Sequence, residues 1–383
     1  MKRFGGLCIS RVSAHRVALP LHDKVYRWSG NKSVEVFEAT VVRIETREGL
    51  VGYGENTPLG SSYLPAYASG TRAGLEELAP HLIGKDPTRL NSINSIMDHA
   101  LKGHPYVKSA IDMACHDLLG KASGLPVCEL LGGRFGDSFP LYRAISQGSP
   151  EEMAVSVSKY YDEGYRKFQL KVGGSDVQAD IARIRQCRRL LDEKSASGPG
   201  SIPLFCDANT AWLMHQAVQV CNAVSDLSAT YIEQPCLTYD ECLSVRRQTS
   251  LPFILDECMD DVHVLAAILR DKAADCINLK ISKVGGLSRA RVIRDLCVQY
   301  GIAMNIEDTW GGDLVTAAIA SLAHSTPPNL LLCSTDFNSY GPVELGETSC
   351  RRVGGKLAAP LEAGLGVAVR DDVLGPSLFS VSG

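Results

Sequence analysis

The chain has 383 residues, of which 45% are apolar and 21% charged, and its formal net charge is −4. That balance is ordinary for a globular protein and long enough for a large core and two domains. The slight acidity gives no reason to expect nucleic acid or an anionic membrane as a partner, and no apolar run approaches the length of a membrane span.

The opening residues lack the apolar core of a signal peptide, because Arg11 and His15 interrupt it. The 13 cysteines form no C-x-x-C pair, and their number is odd. Most sit in apolar runs, as Cys206, Cys276, Cys297 and Cys333 do. They read as buried, reduced thiols of a cytoplasmic protein rather than a disulfide framework.

Residues 1–135 read as an α+β capping domain. The segment 36–46 alternates apolar and polar residues and runs into 45–55, so a hairpin turning near Glu48 and Gly49 is expected. Helical stretches follow; Ser109–Gly124 has apolar residues at helical spacing and a glycine stop. From Leu141 onward the pattern becomes strand–helix, repeated. Strand candidates begin at Leu141, Phe168, Ile202, Thr230, Phe253, Cys276, Ile302 and Leu330. Helical patterns such as Asp180–Leu191 and Ser288–Cys297 lie between them, and the stretch 195–201, rich in Gly, Ser and Pro, reads as an exposed loop. Eight such units close a barrel. The expected fold class is therefore α/β: a (β/α)8-type barrel over residues 136–363. The tail 364–383 is expected to return and complete the cap.

Five of the strand candidates end on an ionisable residue: Lys171, Asp207, Glu233, Asp256 and Lys280. The intervals are 36, 26, 23 and 24 residues, about what a strand, a loop, a helix and a return loop require. In a parallel barrel such ends converge on one mouth. Three carboxylates at one point repel each other and call for a cation, and hard oxygen ligands suit Mg²⁺. Asp207, Glu233 and Asp256 are thus candidate metal ligands. Lys171 and Lys280 stand on either side as a candidate acid/base pair. A proton α to a carboxylate is weakly acidic, and a divalent cation on that carboxylate offsets the charge that builds when the proton leaves. The lysine that takes it must be neutral, so a pKa lowered by burial, the metal and the second lysine is expected.

These residues resemble the enolase superfamily, in its muconate-lactonising-enzyme-like subgroup. The matching motifs are Gln169-Leu-Lys171, Asp207-Ala-Asn209, Glu233-Gln-Pro235, Asp256-Glu257 and Lys280-Ile-Ser-Lys283-Val-Gly-Gly286. The resemblance covers nearly the whole chain and implies a modified TIM barrel with a cap, Mg²⁺ held by Asp207, Glu233 and Asp256, and Lys171 and Lys280 as acid and base. One departure is Gln169, where the family often has a lysine; glutamine keeps a donor and drops a charge. Gln169, Asn209 and Glu257 are candidates to orient ligands or bases. Lys283 is expected on the opposite strand face from Lys280, given its odd offset.

For the substrate, Glu307, Asp308 and Trp310 end the seventh strand candidate and Asp336 the eighth. Acids away from the metal side are expected to meet a cationic part of the substrate such as an amine, with Trp310 facing that cation or simply packed in the core. In the cap, Trp28 and Tyr63 lie in loops expected to close over the mouth. The segments around Tyr63 and Trp310 resemble superfamily members that convert proline derivatives, including cis-3-hydroxy-L-proline dehydratases and hydroxyproline-betaine epimerases. The resemblance implies an enzyme that removes the α-proton of an amino acid, a proline derivative first among them, with dehydration or 2-epimerisation as the outcome. Two alternatives stand beside it. One is a dipeptide or N-acylamino-acid epimerase, since Asp336-Phe-Asn338 resembles the acidic pair that holds an α-ammonium. The other is a barrel that binds an amino acid without catalysis. Expected partners are a small amino-acid substrate and further copies of the chain.

Overall fold

The computed structural model describes residues 6–174, 176–196 and 200–383. Eight parallel strands make one sheet in chain order: Arg143–Ile145, Phe168–Lys171, Leu204–Asp207, Thr230–Glu233, Phe253–Leu255, Cys276–Lys280, Ala303–Glu307 and Leu331–Ser334. They are referred to below as barrel strands one to eight. A parallel bridge between Leu141 and Ser334 brings the eighth strand beside the start of the first, with Tyr142 N donating to Ser334 O at 2.8 Å. The modified TIM barrel is therefore present. Its strands are buried on both faces, as runs such as Leu204-Phe-Cys-Asp207 require.

The connecting helices start where local chemistry tells them to. Ser149 and Glu152 form a capping box before Pro150–Asp162, and Thr238 and Glu241 form another before Tyr239–Arg246. The Asp176 side chain caps Val177–Ser195. The expected loop at 195–201 lies partly outside the described residues.

The cap is built on a four-stranded antiparallel sheet ordered Ser377–Ser382, Ile9–Pro20, Val36–Thr46, Val51–Asn56. The hairpin turning at Gly49 is as expected, with Gly49 at φ 86°. The helices Ala68–Leu82, Leu90–Ala100 and Pro105–Ser123 cover the sheet, and Leu75, Leu78, Ile93, Ile111 and Leu118 form a core of their own with Ile9, Val12 and Ile44. Val17, Phe37, Ala39 and Val41 belong instead to the barrel's core, so the two parts share apolar packing. The first strand, Ile9–Pro20, was not among the sequence candidates. All 13 cysteines are free thiols, 11 of them buried. Among the described residues no helix is long and apolar enough to cross a membrane.

Candidate active site

Strand register builds the site. Lys171 pairs with Asp207, and Asp207 with Glu233, so barrel strands two, three and four present these groups in one row. Lys280 and Glu307 are paired in the same way on strands six and seven. Asp256 follows directly after strand five. All six are buried. Strands two and six are four apart in a ring of eight, which sets the two lysines on opposite sides of the mouth.

Each lysine meets a carboxylate. Lys171 Nζ donates to Asp207 Oδ2. Lys280 Nζ lies 2.5 Å from Asp256 Oδ2 and 3.3 Å from Glu307 Oε1. Lys283 also reaches Asp256, with Nζ 3.0 Å from Oδ1 and a further bond to the backbone carbonyl. This corrects its expected position. Strand six stops at Lys280, and the chain turns into a short helix, Ile281–Val284, so the offset of three brings Lys283 back to the same side. The carboxylate partners set the direction of the lysine pKa values in this arrangement. Burial pushes Lys171 down, but Asp207, Tyr26 and Glu233 outweigh it and hold it above the ordinary lysine value. Lys280 is likewise held up, by Asp256 and Glu307 against burial. Against burial, Lys280 and Lys283 hold the Asp256 carboxyl well below the usual range.

Among the described residues no lysine bonds to Glu233. Burial and the neighbouring Asp207 push its pKa well up. Gln169 Nε2 donates to its Oε1 at 2.8 Å and Asn278 Nδ2 at 2.6 Å. Asn305 Nδ2 in turn donates to Asn278 Oδ1 at 2.8 Å, and the Cys333 thiol donates to Asn305 Oδ1 at 2.8 Å. Glu233 is thus the end of a polar relay crossing strands four, six, seven and eight inside the barrel. Asn278 and Asn305 were missed from the sequence. Each lies two residues before a strand-end charge and so on the same strand face, which was the available signal. Glu233 Oε2 is buried with no hydrogen-bond partner. Among the described residues no three His, Cys, Asp or Glu side chains close up as a ready-made metal cage, because ammonium groups stand against two of the three expected ligands. The donor set is nevertheless all hard oxygen, and the orphaned Glu233 oxygen fits a cation.

The remaining candidates divide. Asn209 Nδ2 bridges Asp207 Oδ2 and Glu257 Oε1, each at 2.9 Å, and Glu257 is pushed up to about 8 by burial and by Asp256 and Asp207. Tyr63 reaches the centre from the cap: its hydroxyl donates to Asp256 Oδ2 at 3.0 Å and accepts from Lys280 Nζ at 2.5 Å. Trp28 is buried and lines the cavity beside Lys171 and Asn209. Asp308 borders the same cavity, but its carboxylate is taken up by the Ser282 hydroxyl and by the amides of Ser282 and Thr309, while burial pushes it up to about 6. Trp310 borders the cavity and is packed on Phe37, with centroids 3.9 Å apart and planes at 13°, and on Tyr26, Phe337 and Tyr340. It is chiefly a core ring, the second of its two expected roles. Asp336 is fully buried outside the cavity lining, where it accepts from the Tyr165 hydroxyl at 3.1 Å next to Arg143. It does not line the cavity as expected; its Oδ1 is taken up by the Tyr165 hydroxyl instead.

Residues 152–373 match the family described as Enolase C-terminal domain-like, and residues 29–132 match the N-terminal domain of the mandelate racemase / muconate lactonizing enzyme family. The chain belongs to the enolase superfamily. It is 55% identical to the cis-3-hydroxy-L-proline dehydratase of Roseibium aggregatum, over 96% of this chain and 98% of that one. Among solved structures it is similar to a mandelate racemase/muconate lactonizing enzyme of Roseovarius nubinhibens ISM, with TM-score 0.93 and 38% identity over 99% of both chains. It is also similar to one from the same organism complexed with magnesium, with TM-score 0.92 and 35% identity over 98% of this chain and 100% of that one.

In this enolase-superfamily enzyme two cap segments cover the mouth. The hairpin carrying Tyr26 and Trp28 is tied to the ends of strands two and three, and the loop carrying Leu59 and Tyr63 lies against strands five and six. They leave a cavity of about 30 Å³ between the lysines, room for about two or three water molecules. An amino acid enters only if these loops yield. A larger cavity of about 640 Å³ lies between the cap helices and the barrel, lined by Asp98, Lys108, His263 and Arg289. It shares Lys283 with the site but none of the strand-end groups.

Proposed function

We propose that the enzyme removes the proton α to the carboxylate of a proline-type amino acid and expels a β-hydroxyl as water, with cis-3-hydroxy-L-proline as the foremost substrate. The observation that carries this reading is the pair of buried lysines on opposite sides of one carboxylate-lined mouth. The 55% identity to a cis-3-hydroxy-L-proline dehydratase supports the choice of substrate.

Asp207, Glu233 and Asp256 would hold Mg²⁺. When bound there, it supplies positive charge opposite the charge that develops on the substrate carboxylate. The chain's own groups do the rest. Gln169 and Asn278 fix one oxygen of Glu233 and leave the other free. One lysine, released from its carboxylate partner and neutral, takes the α-proton. The electron pair forms the Cα–Cβ double bond as the Cβ–O bond breaks, and the departing oxygen leaves as water after gaining a proton from the lysine on the other side. For an α-proton and hydroxyl on opposite ring faces, two lysines on opposite sides are the required arrangement. The small, capped cavity excludes solvent during transfer.

The test is proton NMR in D₂O with cis-3-hydroxy-L-proline, its trans isomer and L-proline, with Mg²⁺ and with chelator. Loss of the hydroxylated substrate with Mg²⁺ and none in chelator is expected. Conversion of sugar acids in preference to any of these would remove the amino-acid assignment.

A further inference from the structure

We propose that the indole N–H of Trp28 recognises the ring hydroxyl of the substrate and holds it on the Lys171 side of the cavity. The inference rests on the reading of the substrate as a hydroxylated proline-type acid, and goes beyond it by naming the group that tells hydroxylated from plain rings.

Trp28 is 2% exposed, and its Nε1 is buried with no acceptor among the described residues. The other enclosed indole with a polar role differs: Trp212 Nε1 donates to Asp180 Oδ2 at 2.9 Å. A buried N–H without an acceptor is rare in native folds and points to a missing partner. Trp28 lines the cavity that also contains Lys171, Lys280 and Tyr63, so a ligand there is the partner within reach.

The indole is held in place from both sides. It ends the short hairpin Tyr26–Trp28/Lys32–Val34, which is bonded to the barrel just beyond it. Ser29 Oγ donates to Asn209 O at 3.3 Å, and Gly30 N to Gly173 O at 3.1 Å. Gly173, at φ 82°, permits this approach: a Cβ there would lie 2.9 Å from the Ser29 Cβ and 2.5 Å from Ala208 O. Asn209 and Gly173 follow the strands that end at Asp207 and Lys171, so Trp28 sits on the Lys171 side, whereas Tyr63 is bonded to Lys280 on the other.

Chemistry selects the hydroxyl. An indole N–H donates only. The secondary ammonium of a proline ring also only donates and cannot meet it. Asp207, Glu233 and Asp256 would hold the cation that supplies positive charge for the substrate carboxylate, so that group would be occupied elsewhere. The ring hydroxyl oxygen is the acceptor that remains.

Trp28→Phe keeps an aromatic ring and removes the donor. We expect kcat/KM for dehydration of cis-3-hydroxy-L-proline to fall on the order of tenfold further than the rate of α-proton exchange of L-proline in D₂O does, the effect of one lost hydrogen bond. Equal losses for both, or none for either, would overturn the assignment and leave the proposed reaction standing. If the unaltered enzyme neither dehydrates nor exchanges any of these acids, the proposed reaction itself falls, and this inference with it. A second measurement does not depend on Trp28→Phe folding well. The chain has three tryptophans, so ¹⁵N-indole labelling of a non-reacting Lys171→Ala/Lys280→Ala enzyme gives three N–H signals. The Trp28 signal should move with cis-3-hydroxy-L-proline and not with L-proline; identical responses to both ligands would sink the idea.

Discussion

Lys171 and Lys280 are each bonded to a carboxylate that the proposed reaction needs for another purpose. The two demands are compatible only if a cation replaces the ammonium groups as partner to Asp207 and Asp256. Lys171→Ala and Lys280→Ala should each lower turnover by about 10²–10⁴-fold with an unchanged circular dichroism spectrum. A double variant with near-normal rates would contradict the pairing. Glu233 poses a different question, because neutral amides rather than ammonium groups hold it. Asn278→Leu breaks the relay from Asn305 and removes one of the two donors on Oε1. Loss of such an outer partner typically weakens metal binding about 10–100-fold. Mg²⁺ titration calorimetry checks this, and an unchanged affinity would show that Gln169 alone orients Glu233.

At the scale of elements, the cap is locked to the barrel by buried acids. Asp112, on the cap helix Pro105–Ser123, accepts from the Ser288 amide at 3.0 Å and from the Ser288 hydroxyl and Asn94, directly behind the turn that carries Lys280 and Lys283. Glu55, on the cap strand Val51–Asn56, accepts from the amides of Gly312 at 2.6 Å and Val315 at 3.2 Å, at the start of the helix Asp313–His324. Burial nevertheless pushes Glu55 up from 4.5 to about 7, against the pull of those bonds. An acid whose pKa is higher in the folded than in the unfolded state stabilises the fold below its unfolded value, and that stability is lost as pH rises through the folded one. The window here is about 4.5 to 7. Glu55→Gln keeps an acceptor and removes the titration, so its melting temperature should decline less than the parent's between pH 5 and pH 8. Parallel curves would show that Glu55 remains charged throughout.

The same elements show what was legible in the sequence. Barrel strands buried on both faces end abruptly at a polar residue, so their tips could be read without knowing the fold. Lys283 could not, because where a strand stops and a helical turn begins is decided locally at Lys280. Nor could Ile9–Pro20: its alternation is lost across Ser13, Ala14 and His15, all buried, where its register against Ser377–Ser382 shifts. Trp310 packs on Phe37 and Asp336 bonds to Tyr165, partners that come from distant parts of the chain. Rim residues turn toward whatever tertiary neighbour arrives, and their type alone does not record it.

For the whole molecule, the pairing of Ser377–Ser382 with Ile9–Pro20 joins segments far apart in the chain. Removing residues 377–382 should lower the melting temperature while leaving the barrel's helical signal intact, since it converts a paired strand into an exposed edge. Loss of the entire fold on that deletion would mean that the barrel cannot stand without a complete cap sheet. The pairing also imposes an order on biosynthesis. A ribosome adding about 5–20 residues per second leaves Ile9–Pro20 without that neighbour for on the order of tens of seconds. The barrel strands all emerge before it arrives. Through that interval one edge of Ile9–Pro20 is an unpaired strand edge, open to pairing with another chain until Ser377–Ser382 covers it.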